Sequence, residues 1–414
     1  MAARTTFEIA RRQRTAVRVT NKGLKHKFVE EVRLMGLLGM FRHAVLRQPK
    51  ASAPKRGTTS SGIGVTFTIT TDIRPSSTEA EIIPADIRAR TTTMSKQGLF
   101  PHEILVLDYA HTFYTSDNSF QGFWWYRYGV RDVQSVLSSL AERGFLETGD
   151  IRAVLNMQTV AELKAILELH GISTRGRKTD LVQRVLDSIP DQEFNSRFPR
   201  RTYALTEAGR RALDEAAYVS YIHRHPIEDL DIWSLNRLIY SEPYMSYRDK
   251  IWRHLNQLSI RRFSERNFGL YANCRLTMAT FLKEEGKLKD ALAMLAEVAF
   301  YDLTGAINNY DPKFLEIYAE SFFPYQQSLA TVAPGVIAEI ANIQKELRYS
   351  DEELKASLVE RMHKLSAPVK VFTVEECIQI VLMERDKDTE GLVKVYSRAS
   401  KTFAQKYPGA RFGR

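Results

Sequence analysis

The chain has 414 residues, of which 44% are apolar and 10% aromatic, and a formal net charge of +10. That composition excludes a mostly disordered chain and predicts two to three folded domains, because one core seldom organises so many residues. Two distant cysteines, Cys274 and Cys377, have no CxxC partner, which excludes a cysteine zinc site and fits a reducing compartment.

Residues 1–56 carry fourteen Lys or Arg against three acids, a net +11, so the remaining 358 residues sum to −1. A near-neutral body therefore follows a basic arm. Arg11, Arg12, Arg14, Arg18, Lys22, Lys25 and Lys27 are its candidate phosphate contacts, because clustered cations gain most from counterion release. A solvated tail, or an arm for an acidic protein surface, would have the same composition. Apolar residues at three- and four-residue steps (Phe28, Val32, Met35, Leu38) predict an amphipathic helix over about 25–46. The apolar run Leu34–Phe41 is too short to span a bilayer and lies too late for a signal peptide, so a soluble, cytoplasmic protein with no membrane contact is expected.

Residues 57–98, rich in Ser, Thr and Pro, read as a linker, interrupted by one period-two run, Val65, Phe67 and Ile69. From residue 99 the texture changes. A helix is predicted over His102–Thr112, followed by an aromatic stretch (Phe123, Trp124, Trp125, Tyr126, Tyr128). Such density fills a core more often than it stacks single-stranded bases. Val133, Val136, Leu137 and Leu140 then make the apolar stripe of a helix stopped at Gly144, and Phe145-Leu146 begins a strand. After an interval, Tyr203-Ala-Leu forms a second strand and Thr206 caps another helix.

The order Leu140…Gly144-Phe145-Leu146 and Tyr203-Ala-Leu-Thr206…Gly209 resembles a winged helix of the kind found in bacterial regulators. The resemblance implies a winged-helix-like α+β domain over 99–150 and 198–222, in a bacterial or phage setting. Its recognition-helix equivalent would offer Arg131 and Gln134 to a groove, although Asp132 and Glu142 dilute the charge and many such domains bind proteins. Where a short hairpin is expected, about fifty residues intervene, which predicts an insert at 151–197, since exposed hairpin tips tolerate insertion.

Within the insert, Thr159-Val-Ala-Glu162 is a capping box, with Leu163, Ile166 and Leu167 on one face behind it. His170-Gly171 ends that helix, a basic turn follows, and Leu181, Val182, Val185 and Leu186 supply a second face. The string T-V-x-E-L-K-x-x-L-x-x-x-G-I-S-T-x-G-x-K-x-D-L-V-x-R-V resembles the SAP family almost position for position. That resemblance implies a two-helix DNA-binding unit over Thr159–Asp187, with duplex DNA as partner and little sequence specificity. Glycine at 176 lets the backbone approach a phosphate, and free amides at the second helix's start favour an anion. The candidate contacts are Lys164, Ser173, Thr174, Arg175, Gly176, Arg177, Lys178 and Arg184. The plainer alternative is a solvated turn in which Arg184 pairs with Asp180 one helical turn away.

Residues 223–405 show helical periodicity throughout, with capping boxes at Ser350/Glu353 and Thr373/Glu376. The stretch Tyr271–Ala299 resembles one tetratricopeptide-type hairpin, but no second copy follows about 34 residues away. An irregular all-helical domain is expected, for protein interaction or self-association, ending in a basic tail over 406–414. The fold class expected is thus mainly α: a winged-helix-like α+β domain with an inserted two-helix SAP unit, then an all-α domain. No phosphate loop, GxGxxG, HExxH or GxSxG is present, and His102, His223 and His225 lack a catalytic constellation. No enzyme activity, metal or cofactor is expected. Two functions remain: a non-enzymatic DNA-binding protein, or an interaction scaffold with incidental DNA binding.

Overall fold

The computed structural model describes residues 82–308, 331–367 and 371–406. The basic arm, the run Val65–Ile69, residues 309–330 of the expected helical domain and most of the basic tail lie outside them. The described chain is mainly helical, with one two-stranded sheet, and divides into two compact units between Ile251 and Trp252.

The first unit opens with α1 (Ala85–Ala89) and α2 (Pro101–Tyr109), which tightens into a 3₁₀ turn over Ala110–Thr112. Then come α3 (Phe123–Tyr128), α4 (Val133–Glu142) and β1 (Leu146–Thr148). The Asp132 carboxylate caps α4 by accepting the Ser135 amide at 2.9 Å, while Val133, Leu137 and Leu140 face the core. Residues 82–98, expected as linker, are packed instead: Ala85 and Ala89 are buried, and the Ala85 amide donates to the Gly129 carbonyl at 2.9 Å. A five-residue helix is too short to show a 3.6-residue period, and its anchor is 44 residues away in sequence.

β1 pairs antiparallel with β2 (Tyr203–Leu205), Leu146 opposite Leu205 and Thr148 opposite Tyr203. The pairing extends through the Gly149 amide, which donates to the Thr202 carbonyl at 2.7 Å, and Tyr114 bridges Thr202. Helix α9 (Glu207–Glu215) follows, capped by Thr206 Oγ1 accepting the Gly209 amide at 3.1 Å. It lies so close to the strand end that a Cβ on Gly209 would stand 2.3 Å from the Phe145 carbonyl oxygen, so only glycine permits this approach.

Between the paired strands run α5 (Ile151–Met157), α6 (Val160–Leu169), α7 (Lys178–Ser188) and α8 (Asp191–Arg197). They enclose a core of their own: Leu163, Ile166, Leu167, Leu181, Val182 and Val185, joined by Leu155 of α5 and Phe194 of α8. The insert is therefore a four-helix unit rather than the expected two-helix one. The physical reason is area: two short helices leave an apolar face open, and the flanking seven-residue helices close it.

Helices α10 (Ala217–Arg224) and α11 (Ile232–Ser241) complete this unit, although the sequence assigns residues from 223 onward to the helical domain. The buried Asn236 amide ties α11 inward, donating to the Thr93 carbonyl at 2.9 Å and the Tyr218 hydroxyl at 2.8 Å. His223 of α10 sits between two tyrosines, with the Tyr109 hydroxyl 2.6 Å from Nε2 and that of Tyr128 2.5 Å from Nδ1. Burial, reinforced by the Arg127 charge, pushes its pKa down to about 4, with Asp108 opposing. Since an unfolded histidine titrates near 6.5, the folded state is favoured fully above pH 6.5 and loses that advantage as pH falls from about 6.5 to about 4. Thermal melts of wild type and His223→Gln between pH 7 and pH 4 check this. The gap between the two should narrow with acidification, and a constant gap would show that the ring is not held neutral.

In the second unit, α12 (Tyr247–Ser264, containing the boundary) is followed by α13 (Phe268–Glu284) and α14 (Leu288–Leu303). A 3₁₀ turn (Ala306–Asn308), α15 (Pro334–Leu347), α16 (Asp351–Met362), α17 (Val374–Asp386) and α18 (Thr389–Lys406) complete it. Helix α14 is buried nearly all round and packs against α13, α15, α16 and α17. Within it Glu297 is fully buried and accepts from the Tyr271 hydroxyl at 2.6 Å; Arg275 Nε, which donates to that hydroxyl, lies 3.0 Å from the same carboxylate oxygen, and Arg361 pairs with the other oxygen.

Candidate nucleic-acid interface

Helix α6 starts where the sequence puts it. The Thr159 hydroxyl accepts the Glu162 amide at 3.2 Å and Glu162 Oε2 accepts the Thr159 amide at 2.7 Å. The Thr159 amide and the Thr159 hydroxyl, which also donates to Glu162 Oε2 at 2.8 Å, together with the nearby Lys178 ammonium, hold the Glu162 carboxyl below the usual carboxylate range. The helix ends at His170 and Gly171, and Ile172 returns toward the insert core. The chain then turns through Ser173–Arg177 into α7.

That turn presents cations outward. Ser173, Arg175, Gly176 and Arg177 are exposed, while Thr174, Lys178 and, on α6, Lys164 are half-buried. Lys164, Arg175 and Arg177 form no ion pair among the described residues. Gly176 adopts φ +123°, a conformation side-chain-bearing residues rarely reach, and a Cβ there would lie 3.0 Å from Asp180 Oδ2. Glycine at 176 is thus demanded by the turn itself, before any ligand is considered.

Two α7 side chains, Asp180 and Arg184, fold back onto the turn, and a third, Lys178, reaches α5. Asp180 Oδ2 accepts the Arg177 amide at 2.9 Å, and Lys178 Nζ donates to the Asn156 carbonyl of α5 at 2.6 Å. Arg184 Nη1 donates to the Ser173 carbonyl and, at 2.9 Å, to that of Arg175. Arg184 therefore spans the turn and forms no ion pair with Asp180, the partner that helical spacing suggested. Asn156 was missed by sequence reasoning; the Asp150 N-cap, whose Oδ1 accepts the Ala153 amide at 2.9 Å, was the available sign of the helix that carries it.

The winged-helix candidates are placed differently. Arg131 is exposed, its guanidinium 4.6 Å from the centre of the Trp125 ring. Gln134 is half-buried and donates to the Tyr203 hydroxyl at 3.3 Å, with its carbonyl oxygen buried and unpartnered. The aromatic stretch splits: Trp124 and Tyr128 are core, whereas Tyr126 is 66% exposed. Arg11, Arg12, Arg14, Arg18, Lys22, Lys25 and Lys27 lie outside the described residues. Among the described residues no cluster of His, Cys, Asp or Glu is arranged to hold a metal ion, and no helix is long and apolar enough to cross a membrane.

Residues 154–190 match the family model of the SAP domain. No curated protein matches the chain. The matched span begins at Val154 in α5 and ends just past Ile189, covering the insert core from Leu155 to Ile189 but not Phe194 of α8.

Proposed function

We propose that this is a non-enzymatic protein that binds duplex DNA with low sequence specificity, through the Ser173–Lys178 turn of its SAP domain and the basic arm at 1–56. The observation carrying the reading is the SAP match combined with an outward turn whose Arg175 and Arg177 have no internal ion pair. Unpaired exposed cations beside a glycine turn and a helix N-terminus suit a phosphate: the backbone approaches closely and charge is neutralised without breaking internal contacts. The first unit reads as winged-helix-like, supported by the order of α2, the Tyr114 bridge, α3, α4 and the β1–β2 pair, with the SAP domain displayed from its wing. The all-helical second unit serves protein interaction or self-association.

The testing experiment is fluorescence anisotropy with a labelled duplex, comparing wild type with Arg175→Ala/Arg177→Ala. Each exposed cation contributes little to folding, so melting should be unchanged. Affinity at low salt should fall about tenfold to a hundredfold as two phosphate contacts are lost. Equal affinities with equal melting would remove the turn from the DNA-binding surface.

A further inference from the structure

The proposed interface leaves one cation of the SAP domain unexplained, because Arg184 already commits its Nη1 to the protein. Its Nη1 bonds the carbonyls of both Ser173 and Arg175, residues eleven and nine positions before it and on the far side of a turn. A carbonyl oxygen turned inward on a guanidinium leaves the intervening peptide little freedom to rotate. Gly176, at φ +123°, then redirects the chain, Asp180 fixes the Arg177 amide, and Lys178 anchors the start of α7 to Asn156. Every one of these contacts holds the turn from inside, while the Arg175 and Arg177 side chains stay exposed. An exposed five-residue turn held only by its ends would sample many conformations. Ordering it on a phosphate would then cost affinity, and ordering it beforehand avoids that cost.

We infer that Arg184 is a positioning residue: it fixes the Ser173–Arg177 turn so that Arg175 and Arg177 meet phosphates, and does not itself contact the nucleic acid. This rests on the DNA-binding reading above for its consequence, but not for the clamp. Arg184 is half-buried against α7's own turn, and a phosphate would have to displace two carbonyls to claim its Nη1. The charge of Arg184 therefore neutralises backbone dipoles of the protein rather than the DNA.

The two roles differ in what salt does. A cation that meets a phosphate releases counterions and adds about 0.9 to the slope of log affinity against log salt, whereas a positioning residue changes affinity at every salt alike. The experiment uses the full chain with Arg184→Met and Arg175→Ala, measuring duplex affinity from 50 to 300 mM salt and backbone ¹⁵N order parameters of the free protein. Arg184→Met should lower affinity roughly tenfold with an unchanged slope, and should lower the order parameters of Thr174–Arg177 while those of α6 stay fixed. Arg175→Ala should make the slope shallower by about 0.9 and leave the turn ordered. A slope that flattens by about 0.9 in Arg184→Met, or unchanged order in its turn, overturns the inference. If wild type fails to bind the duplex, the DNA-binding reading falls, and the order parameters still decide whether Arg184 fixes the turn.

Discussion

Removing residues 1–56 is expected to cost most of the affinity for DNA at low salt and to change how salt acts on what remains. Those residues hold net +11 of a total of +10, so phosphate neutralisation by the intact chain is expected to concentrate in them and in the SAP turn. If six to eight cations of the intact protein meet phosphates, the slope of log affinity against log salt is about −5 to −7. Between 50 and 200 mM salt that is a loss of roughly 10³ to 10⁴. The truncated chain keeps Lys164, Arg175 and Arg177, and with at most three contacts its slope falls to about −2 to −3, a loss of roughly 20- to 60-fold over the same range. The measurement is a salt titration of both chains on one duplex. Equal slopes would assign the arm to solvent or to an acidic protein surface. Weak, salt-insensitive binding by both would favour an interaction scaffold.

The largest single-residue effect on stability is expected at Glu297. Its carboxylate is fully buried at the centre of α14 and receives Tyr271 and Arg275 from α13 and Arg361 from α16. Taking such a group out of water is unfavourable, and the two guanidiniums with the hydroxyl offset it. Removing the acid alone leaves two partly buried cations facing each other across an apolar core, which costs about 3–5 kcal/mol. Glu297→Gln keeps the volume and a hydrogen-bond acceptor but not the charge, so it isolates the electrostatic part. In urea or thermal unfolding, Glu297→Gln should lower the melting of the second unit by on the order of 10 °C. Glu360→Ala serves as the comparison. Its pair with Lys364 has side chains 76% and 63% exposed, and such pairs contribute about 0–1 kcal/mol. A Glu297→Gln variant as stable as Glu360→Ala would mean that desolvation already cancels the attraction at this site.

Neither Arg184 nor Glu297 announces its role in the sequence, and for the same reason. Along the chain Arg184 has Asp180 at helical spacing, the partner that local geometry offers. Its actual acceptors are carbonyls, which every residue carries, and they come within reach only after the turn folds back over α7. Glu297 reads as a lone acid within the apolar run Ala291–Tyr301, and only the arrangement of α13 and α16 around α14 brings two arginines to it.

Local periodicity and short-range hydrogen bonding are legible along the chain without reference to the fold. Thr159 and Glu162 cap α6, Leu163, Ile166 and Leu167 face inward, Thr206 caps α9, and the helices of the second unit begin at Ser350 and Thr373, because each signal spans no more than a helical turn or two. The SAP match at 154–190 belongs with these, since its motif is a contiguous pattern of such signals. Packing between distant segments, by contrast, sets α5 and α8 over the SAP core, residues 82–98 under Gly129, and α10 and α11 in the first unit. Those outcomes turn on burying small apolar faces against residues tens of positions away. The free energy of that burial depends on which surfaces meet, and a window of neighbouring residues does not contain it.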